Sequence, residues 1–173
     1  MLAIPRWNGE KLFGDKTSQF GGVLIFSYAP RPSLKFRAGI YVNKEFFGTY
    51  IVPLGGIDWR INENNNLFGV LPGRLTYEHQ WNDRLYSGAT FRAITNSYRL
   101  TNGEFLRLDD NQVSIFIDYY LSKNICVTLE PGYGLFRKLR TGENDKNYIR
   151  EADWVDGAFV KLSASYRRRL DEN

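Results

Sequence analysis

Leu34-Lys35-Phe36-Arg37-Ala38-Gly39-Ile40-Tyr41-Val42-Asn43 decides the class of fold, because its side chains sort by twos. Leu34, Phe36, Ala38, Ile40 and Val42 fall on one face of an extended chain, and Lys35, Arg37, Gly39, Tyr41 and Asn43 on the other. A helical period would mix the two sets, whereas a strand with one dry face and one wet face separates them. The order recurs where Val113, Ile115, Ile117, Tyr119 and Leu121 alternate with Gln112, Ser114, Phe116, Asp118 and Tyr120. It returns near the end, with Ala158, Val160, Leu162, Ala164 and Tyr166 set against Phe159, Lys161, Ser163, Ser165 and Arg167.

Working outward from these stretches, the alternation predicts eight strands, at 18–29, 33–44, 47–61, 67–81, 84–97, 111–122, 125–137 and 153–168. Pro30-Arg31-Pro32-Ser33, Glu63-Asn64-Asn65-Asn66, Asn82-Asp83 and Ser122-Lys123-Asn124 supply turn chemistry between them. Residues 1–17 are a lead segment and 18–173 a single β domain. The connections 98–110 and 138–152 are long, polar and charged, which predicts exposed loops open to a surface ligand. Both fall at the same end of an eight-stranded meander, opposite the chain termini. That is the arrangement of bacterial outer-membrane barrels.

Composition fits a β domain: of 173 residues 16% are aromatic, and Gly 16 provides corners. Cys126 is the single cysteine, so no internal disulfide forms. The net charge of +4 and pI ≈ 9.2 do not imply nucleic acid, since basic residues are interspersed with acids and the one cluster, Arg167-Arg168-Arg169, is terminal. No apolar run approaches the ~18 residues of a membrane-spanning helix, so any crossing would use strands. Met1 to Trp7 lacks the apolar core of a secretory signal, and export would therefore need a leader upstream.

Alternation alone does not say which face looks inward, but side-chain size does. Leu24, Phe26, Ile51, Ile57, Trp59, Leu75, Tyr77, Phe91, Val127, Leu129 and Leu135 would overfill the interior of an eight-stranded barrel. The other face mixes Gly39, Gly48, Gly56, Gly88, Gly132 and Gly134 with charges of both signs. Small residues there leave room for Lys35, Arg37, Asp58, Arg60, Arg74, Glu78, Arg92, Asp118, Glu130, Lys161 and Arg167 to pair as a lumen network. On the apolar parity, Phe20, Phe47, Trp81, Tyr119 and Tyr166 gather near one rim, and Tyr28, Trp59, Tyr133 and Trp154 near the other, as two membrane interfaces require.

At Gly55-Gly56-Ile57-Asp58-Trp59-Arg60-Ile61-Asn62, at Leu67-Phe68-Gly69-Val70-Leu71-Pro72-Gly73-Arg74-Leu75-Thr76-Tyr77-Glu78, and at Ala93-Ile94-Thr95-Asn96-Ser97-Tyr98-Arg99-Leu100, the chain resembles uncharacterised outer-membrane β-barrel proteins of Gram-negative bacteria. The resemblance spans roughly residues 47–168 and brings no catalytic motif. It implies a bacterial outer-membrane location, and a longer native chain with a signal peptide and further N-terminal strands.

Chemistry finds little foothold. His79, the one histidine, shares a predicted hairpin with Ser87, and Ser97 lies further along; a membrane-embedded hydrolase would use such a pair, but no spacing marks a nucleophile. Asp109-Asp110-Asn111 lacks the spaced ligands of a calcium loop, and one His with one Cys makes no metal set. Asp58, Glu78, Asp118 and Glu130 suit ion pairing with Arg37, Arg60, Arg74 and Arg92 better than paired-acid catalysis. The expectation is an all-β, antiparallel up-and-down transmembrane β-barrel of about eight strands, non-enzymatic, without cofactor or metal, in contact with membrane lipid and serving a structural or adhesive role. Its rivals are a porin-like channel, if further strands widen it, and a lipocalin-like carrier of apolar ligands with the apolar face inward.

Overall fold

The computed structural model describes residues 2–10, 17–143, 147–153 and 155–167. They form one antiparallel sheet of eleven strands: β1 Leu2–Trp7, β2 Ser18–Arg31, β3 Leu34–Glu45, β4 Gly48–Asn62, β5 Asn65–Leu71, β6 Arg74–Gln80, β7 Leu85–Arg99, β8 Phe105–Tyr120, β9 Ile125–Gly142, β10 Tyr148–Asp153 and β11 Gly157–Tyr166. Strands β1 to β10 lie side by side in chain order. β10 and β11 share one edge of β9, β10 along Lys138–Gly142 and β11 along Ile125–Gly134.

The sheet does not close. No ladder among the described residues joins β1 or β2 to β11, so both edges remain open. This overturns the expected barrel, and with it the outer-membrane location, membrane lipid as a partner and the resemblance to outer-membrane barrel proteins. The porin-like channel and the lipocalin-like carrier also need a closed wall and fall for the same reason. The period of two reports which residues share a face. It carries no information on whether two distant edges meet in register.

The strand count also changes. The predicted strand at 67–81 is a hairpin, because Pro72-Gly73 turns the chain between β5 and β6 and Ala93 N–H caps the turn on Gly73 O at 3.1 Å. The lead segment contributes β1, which pairs with Ser18–Val23 of β2. The two expected loops are largely strand. Residues 98–110 complete β7 and begin β8 around a short turn, and 138–152 complete β9 and form most of β10. Neither is free to act as a surface-ligand loop of the kind expected.

The two faces divide as residue chemistry demands, with the polar one the more enclosed. Phe36, Ile115 and Val160 are 45%, 63% and 70% exposed, whereas Asp118 is 1% exposed. Thr76, Thr90, Ser114 and Glu130 are buried on the polar face as well. Two glycines allow rings to enter there. A Cβ on Gly88 would sit 2.0 Å from Tyr77 O and against the Phe116 ring, and one on Gly132 would strike the Phe159 ring. Phe46, Phe47 and Phe105 form a small apolar cluster against Tyr50 and Tyr148, and Tyr86, Tyr120 and Cys126 pack together elsewhere.

Candidate binding cavity

β5 and β6 are the shortest interior strands of the sheet, at seven residues each, beside fifteen each in β4 and β7. Their hairpin stops at Pro72-Gly73. β4 is paired to β5 only along Gly55–Asn62, and β7 to β6 only along Tyr86–Arg92, so β4 before Gly55 and β7 after Arg92 have no strand between them. Side-chain hydrogen bonds span this interval at its far end. Ser97 Oγ on β7 donates to Glu45 Oε2 on β3 at 2.6 Å, and Gln19 Nε2 on β2 donates to Glu45 Oε2 at 2.6 Å and to Ser97 Oγ at 2.7 Å. The sheet must bend for β3 and β7 to meet, since β4, β5 and β6 stand between them in the strand order.

The bend and the short hairpin leave a cavity of about 560 Å³ on the polar face. One wall is apolar and aromatic: Val23, Tyr41, Tyr50, Val52, Leu54 and Pro72. The facing wall, from β8 and β9, is ionic: Arg107, Asp109, Lys138 and Arg140. Arg6 and Glu45 complete the rim, so four cations and two carboxylates line the space.

The ionic wall is a relay of shared charges. Asp109 accepts from Arg107 Nη2 at 3.0 Å and from Arg140 Nη1 at 2.7 Å. Arg140 Nε donates in turn to Glu151 on β10 at 2.9 Å, as does Lys138 Nζ at 2.9 Å. The hydrogen bonds from Arg140 and Lys138 hold the Glu151 carboxyl down at about 2. Arg107 lies over the Phe47 ring, 4.2 Å from its centroid, and donates to the Tyr148 hydroxyl at 2.9 Å. Burial works most strongly against the Arg107 charge, but the bond and charge of Asp109 together with those of Tyr148 outweigh it, and the guanidinium holds its proton more firmly than usual. On the facing wall, burial pushes the Tyr41 hydroxyl up.

Of the charges expected to pair, Arg37 meets Asp58 at 3.1 Å at a half-exposed position. Arg92 takes Glu130 through both terminal nitrogens, Lys161 stands 3.9 Å from Glu130, and Arg167 binds Asp118 and Thr128. Arg74 reaches Thr76 Oγ1 at 3.0 Å. Arg60 and Glu78 are both engaged, and Lys35 is exposed. None of these eleven residues lines the cavity. Of the aromatic rim residues, Phe20, Tyr28, Trp81, Tyr119, Tyr133 and Tyr166 are exposed, Trp59 is half-buried, and Phe47 is 2% exposed inside the phenylalanine cluster. Trp154 lies outside the described residues.

The candidate hydrolase geometry is not assembled. His79 Nδ1 faces Asn65 Oδ1 at 2.8 Å, Trp81 Nε1 donates to Ser87 Oγ at 2.8 Å, and Ser97 is committed to Glu45. Asp109, the first residue of Asp109-Asp110-Asn111, is held between two guanidinium groups. Among the described residues no three His, Cys, Asp or Glu side chains come together as a metal site.

The charged cavity residues lie in the segments expected as lead (Arg6), turn (Glu45) and loops (Arg107, Asp109, Lys138 and Arg140), whereas the other lining residues lie on predicted strands, where alternation does not disclose a cavity. One signal was present. In Phe105-Leu106-Arg107-Leu108-Asp109 the two leucines alternate with Arg107 and Asp109, a strand period one residue out of step with Gln112–Leu121, the step being taken up by the irregularity between Asp109 and Asn111. Fold and site together define an all-β protein with an open antiparallel sheet and an ion-rich cavity on its polar face. No family model, curated protein or solved structure matches the chain.

Proposed function

We propose that the chain is a non-catalytic binding protein whose cavity takes a small amphiphilic anion, a compound with a carboxylate or similar head on a short apolar or aromatic body. The observation that carries this reading is the two-sidedness of the cavity. A ligand body would shed water against Val23, Val52, Leu54 and Pro72, while its head would meet Arg107, Lys138 and Arg140. About 560 Å³ lies within the ordinary range for small-molecule sites. Four cations against two lining carboxylates favour a negative ligand over a positive one. The Arg107–Asp109–Arg140 relay fixes the donors in advance, so little side-chain entropy is lost on binding.

Calorimetric titration with octanoate, and with octylammonium as the opposite-charge control, tests the proposal. Octanoate should bind saturably at one site and octylammonium should not. Lys138→Gln, at a 40% exposed side chain, should weaken octanoate by about tenfold, the worth of one charge-assisted hydrogen bond. Equal binding of the two probes, or no effect of the substitution, would overturn the reading.

A further inference from the structure

β10 lines none of the cavity, yet it supplies a carboxylate to two of the cations that do. Directly paired residues share a face of the sheet, so the ladders lay out two neighbouring rows across β7 to β10. One row runs Ser97, Arg107, Arg140, Glu151, and the next runs Thr95, Asp109, Lys138, Asp153. Each of these two acids of β10 thus stands opposite a cation of the cavity wall. Lys138 does not stay in its own row. Its Nζ is 4.0 Å from Asp153 but 2.9 Å from Glu151, which also accepts from Arg140 Nε at 2.9 Å. One oxygen of Glu151 receives Lys138 and the other receives Arg140, the engagement open to any carboxylate that reaches this wall. The Glu151 side chain is nevertheless 44% exposed.

We infer that Glu151 is a resident stand-in for the ligand head, a built-in competitor that holds Lys138 and Arg140 until an incoming carboxylate displaces it. This rests on the amphiphilic-anion reading and adds to it how the head is received, with one oxygen on each of the two donors that Glu151 bridges. The exchange costs little. Glu151 is close to half exposed and regains water readily, and an ion pair in contact with solvent contributes little stability. Arg140 keeps its Nη1 bond to Asp109 at 2.7 Å, so the guanidinium stays in place while Nε changes partner. Occupied cations also confer selectivity. A neutral amphiphile has no charge with which to displace Glu151 and gains only the apolar wall.

Calorimetric titration of the full chain with octanoate tests this in Glu151→Gln and Asp153→Asn, which each remove one negative charge, from adjacent rows. Both substitutions fall on exposed side chains of an edge strand, where changes in stability are small. Glu151→Gln should tighten octanoate by about threefold, in keeping with the modest strength of a solvent-exposed ion pair. Asp153→Asn should tighten it less, and octanol should bind the parent and Glu151→Gln alike. Octanoate affinity that is unchanged or lower in Glu151→Gln overturns the proposal and leaves the amphiphile reading standing. Equal tightening in the two variants overturns it as well, because a change in the general field would then suffice, and so does a parallel gain for octanol. If neither the parent nor Glu151→Gln binds octanoate, the amphiphile reading falls and this proposal with it.

Discussion

Replacing Glu45 by alanine should unfold the protein at a much lower temperature, although Glu45 is a polar residue at the end of a strand. Its side chain is 2% exposed, and its carboxylate accepts from Gln19 Nε2, Ser97 Oγ and Asn43 Nδ2, with Arg6 Nη1 3.6 Å away. Hydrogen bonds to a charged group contribute about 1.5–3 kcal/mol each. They do not sum here, because Gln19 and Ser97 already bond to each other at 2.7 Å and keep that contact, and Arg6 is one-third exposed and regains water. A net loss of about 3–5 kcal/mol remains, as for a buried pair with one partner deleted. For a chain of this size that lowers the midpoint by roughly 10 °C. Urea unfolding followed by circular dichroism measures the loss directly. Asp58→Ala, which removes a half-exposed partner of Arg37, is the control and should cost under about 1 kcal/mol. If Glu45→Ala loses no more than this control, Glu45 does not tie β3 to β7, and the account of how the cavity is held together is refuted.

Two further predictions concern the two faces of the sheet. Burial raises the Glu130 carboxyl, but the bonds from Arg92 and Ser114 more than offset it and leave the folded value below the usual 4.5. Glu130 therefore adds stability that is fully present above the unfolded-state value near 4.5 and is lost as pH falls through the lower folded value. Urea midpoints measured between neutral pH and pH 3 should fall less steeply in Glu130→Gln than in the parent, and parallel curves would contradict the assignment. On the opposite face Ile115 is 63% exposed, so Ile115→Ser should change unfolding free energy by less than about 1 kcal/mol, against the 2–5 kcal/mol of a buried truncation, while raising the concentration at which the protein stays dispersed. A core-like loss would mean that the apolar face is covered.

How far residues alone disclose this molecule depends on what each pattern encodes. The alternation at Leu34–Asn43 and Gln112–Leu121 correctly separates exposed apolar from enclosed polar positions, because parity along a strand is a local property. Pro72-Gly73 is equally local and would have split 67–81 into a hairpin, but the apolar residues on either side run on in a way that a single strand also permits. Closure is another matter. It depends on whether β1 or β2 meets β11, and nothing in Val23 to Tyr28 or in Ala158 to Tyr166 specifies the partner of an outer edge. The cavity was least legible of all, since it arises where a short hairpin ends and strands distant in sequence approach, bringing Arg6, Glu45, Arg107 and Arg140 together across more than a hundred residues of chain.

The order of the strands bears on how the chain attains this shape. From β1 to β10 each strand lies against the one made just before it, and β11 needs only β9, so assembly can advance hairpin by hairpin with short loop closures. The clasp between Gln19 and Ser97 is different, for 78 positions separate its two ends. It has to wait until β7 is in place, which makes the clasped cavity a later acquisition of folding than the hairpins that flank it.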